Sequence, residues 1–395
     1  MRRRDPLDYV SGELQALRDQ GLYRRLRVLD QEQRAHTSID HRDVVNLSSN
    51  NYLGLTTHPL LRERAIEATR RFGVGSGSVR TIAGTMEIHM ELERRLAAFK
   101  RTEAAVVFQS GFTANAGTVA ALLGRDDVIV SDELNHASII DGARLSRATV
   151  KVFPHRDAAA ARRIVEALPR EGRTLVISDG VFSMDGDLGA LPSLCEVAEE
   201  FGCIMMVDDA HASGVFGEQG RGTVDHFGLH GRVDVQVGTL SKAIGVLGGY
   251  VAGSRTLIEF LYHRARPFLF STSHPPAVAA ACLAAIDVLE SEPQLIARLW
   301  ENTRFFKAGL AALGFDTGAS DSPITPVIVG DAALAMQLSD RLFEKGVFAQ
   351  GIGFPTVPRG KARVRTIVTA THTRNELQFA LDCFKAVGTE LGILR

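Results

Sequence analysis

A single lysine, Lys242, lies in the glycine-flanked stretch 238–245, directly after a run with strand character at 233–237. Hydroxyl groups stand beside it at Thr239 and Ser241. A lysine amine can form a Schiff base with an aldehyde, and neighbouring hydroxyls can hold a phosphate. Pyridoxal phosphate (PLP) offers both of these groups. The stretch therefore suggests a PLP site, although a Ser-Lys pair at a strand end is also typical of a solvated turn.

Asp208 and His211 follow a second apolar run, 203–207, and are three residues apart. A carboxylate at a strand end can pair with a protonated pyridine nitrogen, which makes the ring an electron sink. A histidine beside it can meet the ring hydroxyl. The alternative is an ordinary Asx turn that leads into a loop.

Three more polar positions follow apolar runs. Ser110 follows the run 104–108 and opens a predicted helix, where free backbone N–H groups and the helix dipole favour a phosphate. Serine is also common at helix starts without any ligand. His136 could lie flat on a planar ring, or could be a plain turn residue. Ser183 stands in a segment with an acidic tail, but its spacing does not fit a calcium loop.

Strands and helices alternate from residue 86 onward in the order that positions these groups together. The predicted strands are continuous apolar runs, which is typical of a parallel sheet covered by helices on both faces. Such a sheet brings the C-terminal ends of its strands to one edge, where ligands bind. The predicted strands are 104–108, 128–130, 149–153, 174–178 and 203–207, and the helices are 86–99, 112–123, 137–146, 157–168 and 191–201.

Three regions are expected along the chain. An N-terminal helical segment covers 1–46, with apolar residues at helical spacing in 7–27. A large α/β domain covers 47–290. A smaller α+β domain covers 291–395, and a long helical stretch from Pro276 to about residue 313 crosses the boundary between the two domains.

Composition excludes several classes of protein. The formal net charge of the 395 residues is −1, which argues against nucleic acid or an anionic membrane as a partner. The longest apolar run, 277–286, is too short to cross a bilayer, and no apolar segment follows the arginines at 2–4 as in a signal peptide. The four cysteines form no C-x-x-C pair, so we expect neither a metal site nor disulfides, and a reducing cytoplasm fits. The glycine-rich segment 73–84 is expected to be a loop, and its glycines lack the G-x-G-x-x-G order of a dinucleotide site.

Taken together, the ordered motifs resemble those of the PLP-dependent fold-type I enzymes, and within them the α-oxoamine synthases. The resemblance runs from about residue 20 to the end of the chain. It implies an α/β fold similar to that of aspartate aminotransferase, with a mostly parallel sheet between helices and a smaller α+β C-terminal domain. The motifs are Ser110-Gly-Phe, Asn135-His136, Asp208-Asp-Ala-His211 and Thr239-Leu-Ser-Lys242, joined by the segments 49–54, 180–187, 217–222, 270–276 and 356–360.

The resemblance also implies roles toward PLP. Lys242 would hold the cofactor covalently and later remove the α-proton of the substrate. Asp208 would pair with the pyridine nitrogen, and His211 would contact the ring oxygen, with Ser183 close to it. His136 would stack on the ring. The phosphate would be held at the helix start and the strand end, by Ser110, Gly111, Phe112, Thr239 and Ser241.

Further roles concern the substrate and a second subunit. Asn50 and Arg365 would bind the substrate carboxylate, with Arg24 nearby. Arg363 and Arg365 alternate on one strand and so share a face, and we prefer Arg365 by its place before the 369–372 segment. Thr272 would reach the phosphate of a partner subunit, so the resemblance implies a homodimer with shared sites.

The reaction implied is condensation of an amino acid with an acyl-CoA. The valine at position 79 resembles the residue found in the branch that joins glycine to acetyl-CoA. A branched side chain near the substrate Cα would favour a substrate with only hydrogen on that carbon, which is glycine. We therefore expect glycine and acetyl-CoA first. The segment 111–115 instead resembles the branch that joins alanine to a pimeloyl thioester with decarboxylation, which is the alternative, and one enzyme could do both. A more remote alternative is a PLP aminotransferase, which would need a keto acid and no CoA.

Overall fold

The computed structural model describes residues 5–19, 23, 25–169 and 171–394. The helices are α1 (Asp8–Asp19), α2 (Pro59–Phe72), α3 (Glu87–Phe99), α4 (Gly111–Leu122), α5 (Ala137–Ser146), α6 (Ala158–Glu166), α7 (Leu191–Phe201), α8 (Thr223–His226), α9 (Arg255–Arg264), α10 (Arg266–Leu269), α11 (Pro276–Ser291), α12 (Gln294–Leu313), α13 (Ala332–Glu344) and α14 (Arg374–Glu390). The strands are β1 (His36–Ile39), β2 (Arg42–Asn46), β3 (Ala104–Phe108), β4 (Val128–Asp132), β5 (Thr149–Phe153), β6 (Thr174–Asp179), β7 (Ile204–Asp208), β8 (Val235–Thr239), β9 (Gly249–Gly253), β10 (Ile324–Gly330), β11 (Val347–Phe348), β12 (Gln350–Ile352) and β13 (Ala362–Ile367).

The centre of the molecule is a seven-stranded sheet in the order β3-β9-β8-β7-β6-β4-β5. Strands β5, β4, β6, β7 and β8 pair in parallel, and β9 pairs antiparallel with β8 and β3. The prediction of a mostly parallel sheet is confirmed. The ends of β6, β7 and β8 meet at one edge, where Asp179 lies opposite Asp208 and Asp208 opposite Val237.

Neighbouring residues of each central strand belong to different cores, which explains why the strands are apolar throughout. On one face, Ile177 and Met206 pack with α4, α5, α9 and α10. On the other face, Val176 and Met205 pack with α6 and α7, and the β9 end of the sheet packs with α2, α3 and α11. Burial on both faces removes the polar alternation that a half-exposed strand would show.

A smaller α+β region follows. Strands β10, β13 and β12 form an antiparallel sheet, and α12, α13 and α14 pack on it through residues such as Phe306, Leu338 and Phe384. A third sheet joins the two parts of the chain, because β11 pairs in parallel with β2. The C-terminal region therefore also holds residues 42–46 and the loop that follows them.

Three expectations about elements need correction. The segment 1–46 is not helical throughout: α1 ends at Asp19, and residues 36–46 form the hairpin β1–β2. The stretch after Pro276 is two helices, because α11 ends at Ser291 and Pro293 precedes α12. The glycine-rich segment expected as a loop ends in a π-helical turn, Arg80–Gly84. Among the described residues, no helix combines the length and apolar character needed to cross a membrane.

Candidate active site

A cavity of about 200 Å³ opens at the C-terminal edge of the large sheet. Every residue proposed for the cofactor lines it, with the exception of Thr272. The lining residues are Ser110, Gly111, Phe112, Asn115, His136, Ser138, Asp179, Val181, Ser183, Asp208, Ala210, His211, Thr239, Ser241 and Lys242.

Lys242 enters the cavity from the turn after β8. Burial lowers the pKa of Lys242 to about 8, against the opposing effect of the Asp208 and Asp179 carboxyl groups. A lysine with this pKa is partly unprotonated near neutral pH. It can therefore act as a nucleophile toward an aldehyde and as a base.

Asp208, the last residue of β7, is held by hydrogen bonds on both of its oxygens. Its Oδ1 accepts from the backbone N–H of Ala210 at 2.8 Å, and its Oδ2 accepts from Asn115 Nδ2 at 2.6 Å. Asn115 Nδ2 also donates to Ser138 Oγ at 2.9 Å. These bonds fix a carboxylate at the floor of the cavity, as a pyridinium partner requires.

The same network reaches His136, which is the N-cap of α5. His136 Nδ1 lies 2.7 Å from Ser138 Oγ and also accepts from the backbone N–H of Ser138. Burial lowers the pKa of His136, the Lys242 charge lowers it further, and Asp208 opposes both. A neutral imidazole held in place by its neighbours is suited to stacking on a planar ring.

His211 is buried, and its Nδ1 lies 2.7 Å from the hydroxyl oxygen of Tyr52. Burial holds the pKa of His211 well below its ordinary value, and Lys242, Arg365 and His136 lower it further. Burial also raises the pKa of Tyr52. At neutral pH the pair is therefore a neutral imidazole and a protonated phenol.

The phosphate end of the cavity is the meeting point of α4 and β8. Ser110 is the N-cap of α4 and accepts from the backbone N–H of Thr113 at 3.1 Å. Thr239 Oγ1 and Ser241 Oγ lie 2.8 Å apart. A Cβ on Gly111 would stand 3.4 Å from Thr239 Cβ, so the helix start and the hydroxyls face each other closely. First-turn N–H groups and hydroxyls at one point form an anion site.

Arg365 and Arg363, both on β13, have different partners. Arg363 Nη1 donates to Asp185 Oδ1 at 2.6 Å and to the Met184 carbonyl. Arg365 Nη1 donates to the Ser183 carbonyl at 3.0 Å, and its buried Nε has no partner among the described residues. Asn50 Oδ1 is likewise buried without a partner there. The described part of the chain gives Arg365 no carboxylate, so its charge is available to a substrate carboxylate.

Four of the predicted residues do not line this cavity: Asn50, Val79, Thr272 and Arg365, although the Arg365 charge acts on the Lys242 amine. Val79 and Thr272 form an isolated antiparallel bridge with each other, and neither lines the described wall of this cavity. Arg24 lies outside the described residues. The geometry of one chain therefore does not bring Val79 or Thr272 to Lys242.

Sequence reasoning missed four residues. Asp179 ends β6 beside Asp208, and its position directly after an apolar run was a usable signal. Burial raises the pKa of Asp179 well above its ordinary value, and Asp208 adds to this. Asn115 and Ser138 lie within the first two turns of helices that follow site strands. Tyr52 lies in the motif segment 49–54, but no local pattern pairs it with His211, which is 159 residues away.

A larger cavity of about 950 Å³ lies at the opposite edge of the sheet. The charged groups there bind one another: Arg232 forms a bidentate pair with Glu199, and Asp234 accepts from the backbone N–H of Met205. Lys242, Asp208 and the anion site all lie at the smaller cavity, and we place the site there.

Comparison with known proteins agrees with this geometry. Residues 42–384 match the family described as aminotransferase class I and II. The chain belongs to this family, and within it to the PLP-dependent α-oxoamine synthases.

Its relatives fall within that class. An 8-amino-7-oxononanoate synthase of Symbiobacterium thermophilum is 62% identical over 388 residues, which cover 98% of this chain and 99% of the relative. The enzyme of the same name from Thermoanaerobacter pseudethanolicus is 57% identical over 389 residues, 98% of each chain. A solved serine palmitoyltransferase with a PLP internal aldimine superposes with a TM-score of 0.94 at 34% identity, covering 99% of this chain and 100% of that chain. The fold-type I architecture is thereby confirmed.

The residues of the cavity fit PLP. The anion site at Gly111 and Thr239 suits a phosphate, and Asp208 suits a pyridinium nitrogen. Lys242 has an amine of lowered pKa within the same cavity. The unpartnered Arg365 Nε and Asn50 Oδ1 are buried polar atoms that a bound amino acid could satisfy.

Proposed function

We propose that the protein catalyses the 8-amino-7-oxononanoate synthase reaction, in which L-alanine condenses with a pimeloyl thioester and CO₂ and the thiol are released. The observation that carries this proposal is the 62% identity with the Symbiobacterium thermophilum enzyme over nearly the whole of both chains. The relatives favour this reaction over glycine plus acetyl-CoA, which we expected first. The clue for glycine was the single residue Val79, and the identity over nearly the whole of both chains outweighs it.

PLP would be held by the groups around the cavity. Lys242 would bind the cofactor aldehyde, Asp208 the pyridine nitrogen and His211 the ring oxygen, while His136 would cover one face of the ring. The helix start at 110–112 and the hydroxyls of Thr239 and Ser241 would hold the phosphate. Bound PLP supplies an electron sink that stabilises negative charge at the substrate Cα.

The chain's own groups would then orient alanine and move its proton. Arg365 and Asn50 would bind the alanine carboxylate, and the Ser183 carbonyl would keep Arg365 in place. Lys242 Nζ would accept the Cα proton, since its pKa of about 8 leaves part of the amine free near neutral pH. The acyl group is proposed to arrive as a CoA thioester.

We also propose a homodimer in which each site takes residues from both chains. The support is that Val79 and Thr272, which form a bridge with each other, do not line the cavity of their own chain. In a two-fold dimer the same segment can approach the partner's cavity. Val79 and Thr272 would then act on the neighbouring site.

The test is a matrix of amino acids and thioesters. Purified protein with PLP is incubated with alanine, glycine or serine against acetyl-CoA, pimeloyl-CoA or palmitoyl-CoA, and free thiol and product mass are measured. We expect the highest kcat/KM for alanine with pimeloyl-CoA and a product that has lost CO₂. Lys242→Ala is the control and should release no thiol above background. A preference for glycine and acetyl-CoA, with the carboxylate retained in the product, would contradict the proposal.

A further inference from the structure

Tyr52 lies behind His211 and not in the described wall of the cavity. It is 1% exposed, and its ring meets the imidazole edge to face at an interplanar angle of 85°. Its hydroxyl oxygen is 2.7 Å from His211 Nδ1. Its backbone carbonyl accepts from the N–H of Ala370 at 2.7 Å, so the residue is fixed at both ends. Tyr52 therefore influences the cavity through its contact with the His211 imidazole.

The direction of this hydrogen bond follows from the groups around it. His211 is neutral, because burial and the nearby Lys242, Arg365 and His136 lower its pKa. A neutral imidazole carries one N–H, on either Nδ1 or Nε2. If Nδ1 carried it, the Tyr52 hydroxyl would accept, and its own proton would need another acceptor. Among the described residues, His211 is the recorded hydrogen-bond partner of that hydroxyl.

The charge of Arg365 also favours donation by the Tyr52 hydroxyl. Arg365 is the charged group whose field acts on the Tyr52 hydroxyl. A cation attracts the lone pairs of the oxygen and repels the hydroxyl proton, so the proton is directed away from Arg365. Donation to Nδ1 of His211, 2.7 Å away, agrees with this effect of the charge. Leaving a buried hydroxyl proton without an acceptor would be unfavourable.

We propose that Tyr52 is a positioning residue that donates to Nδ1 of His211 and thereby keeps the imidazole proton on Nε2, available to the ring oxygen of PLP. Nε2 makes no hydrogen bond within the described part of the chain, and His211 lines the cavity. The inference rests on the proposed function in requiring PLP in this cavity, but not on the identity of the amino acid or the thioester.

The experiment compares the PLP absorbance of the holoenzyme over a range of pH in wild type and Tyr52→Phe. A donor to the ring oxygen favours its anionic form, so loss of a fixed donor should raise the pH midpoint of the absorbance change. We expect proton affinity to increase about threefold to tenfold, a midpoint shift of about half a unit to one unit. We expect kcat to fall by a similar factor, with a smaller change in KM for alanine.

The matched control is Tyr250→Phe. Tyr250 is also 1% exposed and its hydroxyl lies 2.8 Å from Ser213 Oγ, so the change removes a comparable buried hydrogen bond without touching His211. Its midpoint should equal that of wild type. In a His211→Gln background, Tyr52→Phe should shift nothing further, because the two changes act through one imidazole.

An unchanged midpoint in Tyr52→Phe, or a shift that persists in the His211→Gln background, would overturn the role of Tyr52. If Tyr52→Phe does not fold, nitrogen-15 spectra of the histidine rings in wild-type holoenzyme decide, with His211 assigned by its loss in His211→Gln. A proton on Nε2 supports the inference, and a proton on Nδ1 overturns it. A wild-type protein that binds no PLP would instead contradict the proposed function.

Discussion

Around Lys242, burial and charge act on the amine in opposite directions. Burial lowers the pKa of Lys242 to about 8, and the carboxyl groups of Asp208 and Asp179 limit this effect. The two carboxyls are cross-strand neighbours, and their mutual repulsion contributes to the raised pKa of Asp179. Burial and this repulsion therefore favour the neutral form of the Asp179 carboxyl group.

Asp208→Asn tests that assignment. The asparagine fits the same space, so the protein should still bind PLP. Removal of the carboxylate lets a bound pyridine nitrogen lose its proton, which weakens the electron sink. We expect exchange of the alanine α-proton for deuterium, followed by NMR, to slow by at least about tenfold, or roughly 1.4 kcal/mol of barrier. A loss smaller than that would count against pairing with the ring nitrogen.

At the scale of elements, sequence patterns located most strands because each is an apolar run with a defined end. The bounds of β3 and β5 agree with the prediction to the residue. Strand β9 was missed, because it begins and ends with glycine, and such a segment is typical of a turn. Strand β1 was missed because it has only four residues.

The residues of the site likewise divide into those that local sequence patterns predict and those that they do not. Lys242, Asp208 and Ser110 could be predicted, because each follows an apolar run. The strands that these runs form end at one common edge of the sheet. The partner of Tyr52, and the different partners of Arg363 and Arg365, depend on contacts between distant segments, such as that of Arg363 with Asp185. Local periodicity carries no information about such contacts.

Two loops at this edge are joined by one histidine, His155. Its Nδ1 lies 3.0 Å from Asp132 Oδ1, and its Nε2 lies 2.8 Å from Asp187 Oδ2. Asp132 begins the loop that carries His136, and Asp187 ends the loop that carries Ser183. Burial disfavours the charged ring, but the two carboxylates prevail and raise the pKa of His155 to about 9.

His155→Gln should therefore destabilise the protein in a pH-dependent way. Because the folded pKa lies above the unfolded one, this stabilisation is complete below about pH 6.5 and is lost as pH rises through about 9. We expect the loss in free energy of unfolding at pH 6 to exceed that at pH 10 by about 2 kcal/mol, measured by urea denaturation.

The control for this prediction is His41→Gln, since His41 pairs with Asp30 at 3.4 Å but its side chain is 92% exposed. That change should have only a small effect on the free energy of unfolding, because an exposed ion pair contributes little. Equal losses at pH 6 and pH 10 for His155→Gln would mean that the ring packs against Phe182 without holding the two carboxylates as a cation.

At the scale of the whole molecule, a single chain does not place all residues of the proposed site in the wall of its own cavity. The bridge between Val79 and Thr272 joins the glycine-rich segment to the segment before α11. Large apolar side chains in these segments are exposed: Val74 and Ile82 are each 82% exposed, and Phe270 is 68% exposed. Large exposed apolar side chains on two segments joined by a bridge are suited to a contact surface, and the proposed partner is a second copy.

Mixed dimers test this arrangement. Lys242→Ala removes the covalent anchor, and Thr272→Asp places a carboxylate where it would repel the phosphate of the site it serves. If Thr272 serves the partner's site, a hybrid of the two variants has one site with both changes and one with neither. Equal mixing then restores about a quarter of the wild-type activity per site, because about half of the dimers are hybrids. Each parent alone should be nearly inactive.

A chain that carries both changes gives a second test of whether Thr272 serves the partner's site or its own. If Thr272 served its own chain's cavity, each site of the hybrid would carry one change, and the mixture would do no better than its parents. A chain carrying both Lys242→Ala and Thr272→Asp, mixed equally with wild type, gives hybrids in which both sites are damaged under the shared arrangement. Its activity should then be about a quarter of the wild-type value, against about half if Thr272 acts within its own chain. A fully active monomer on size-exclusion chromatography would contradict the shared site directly.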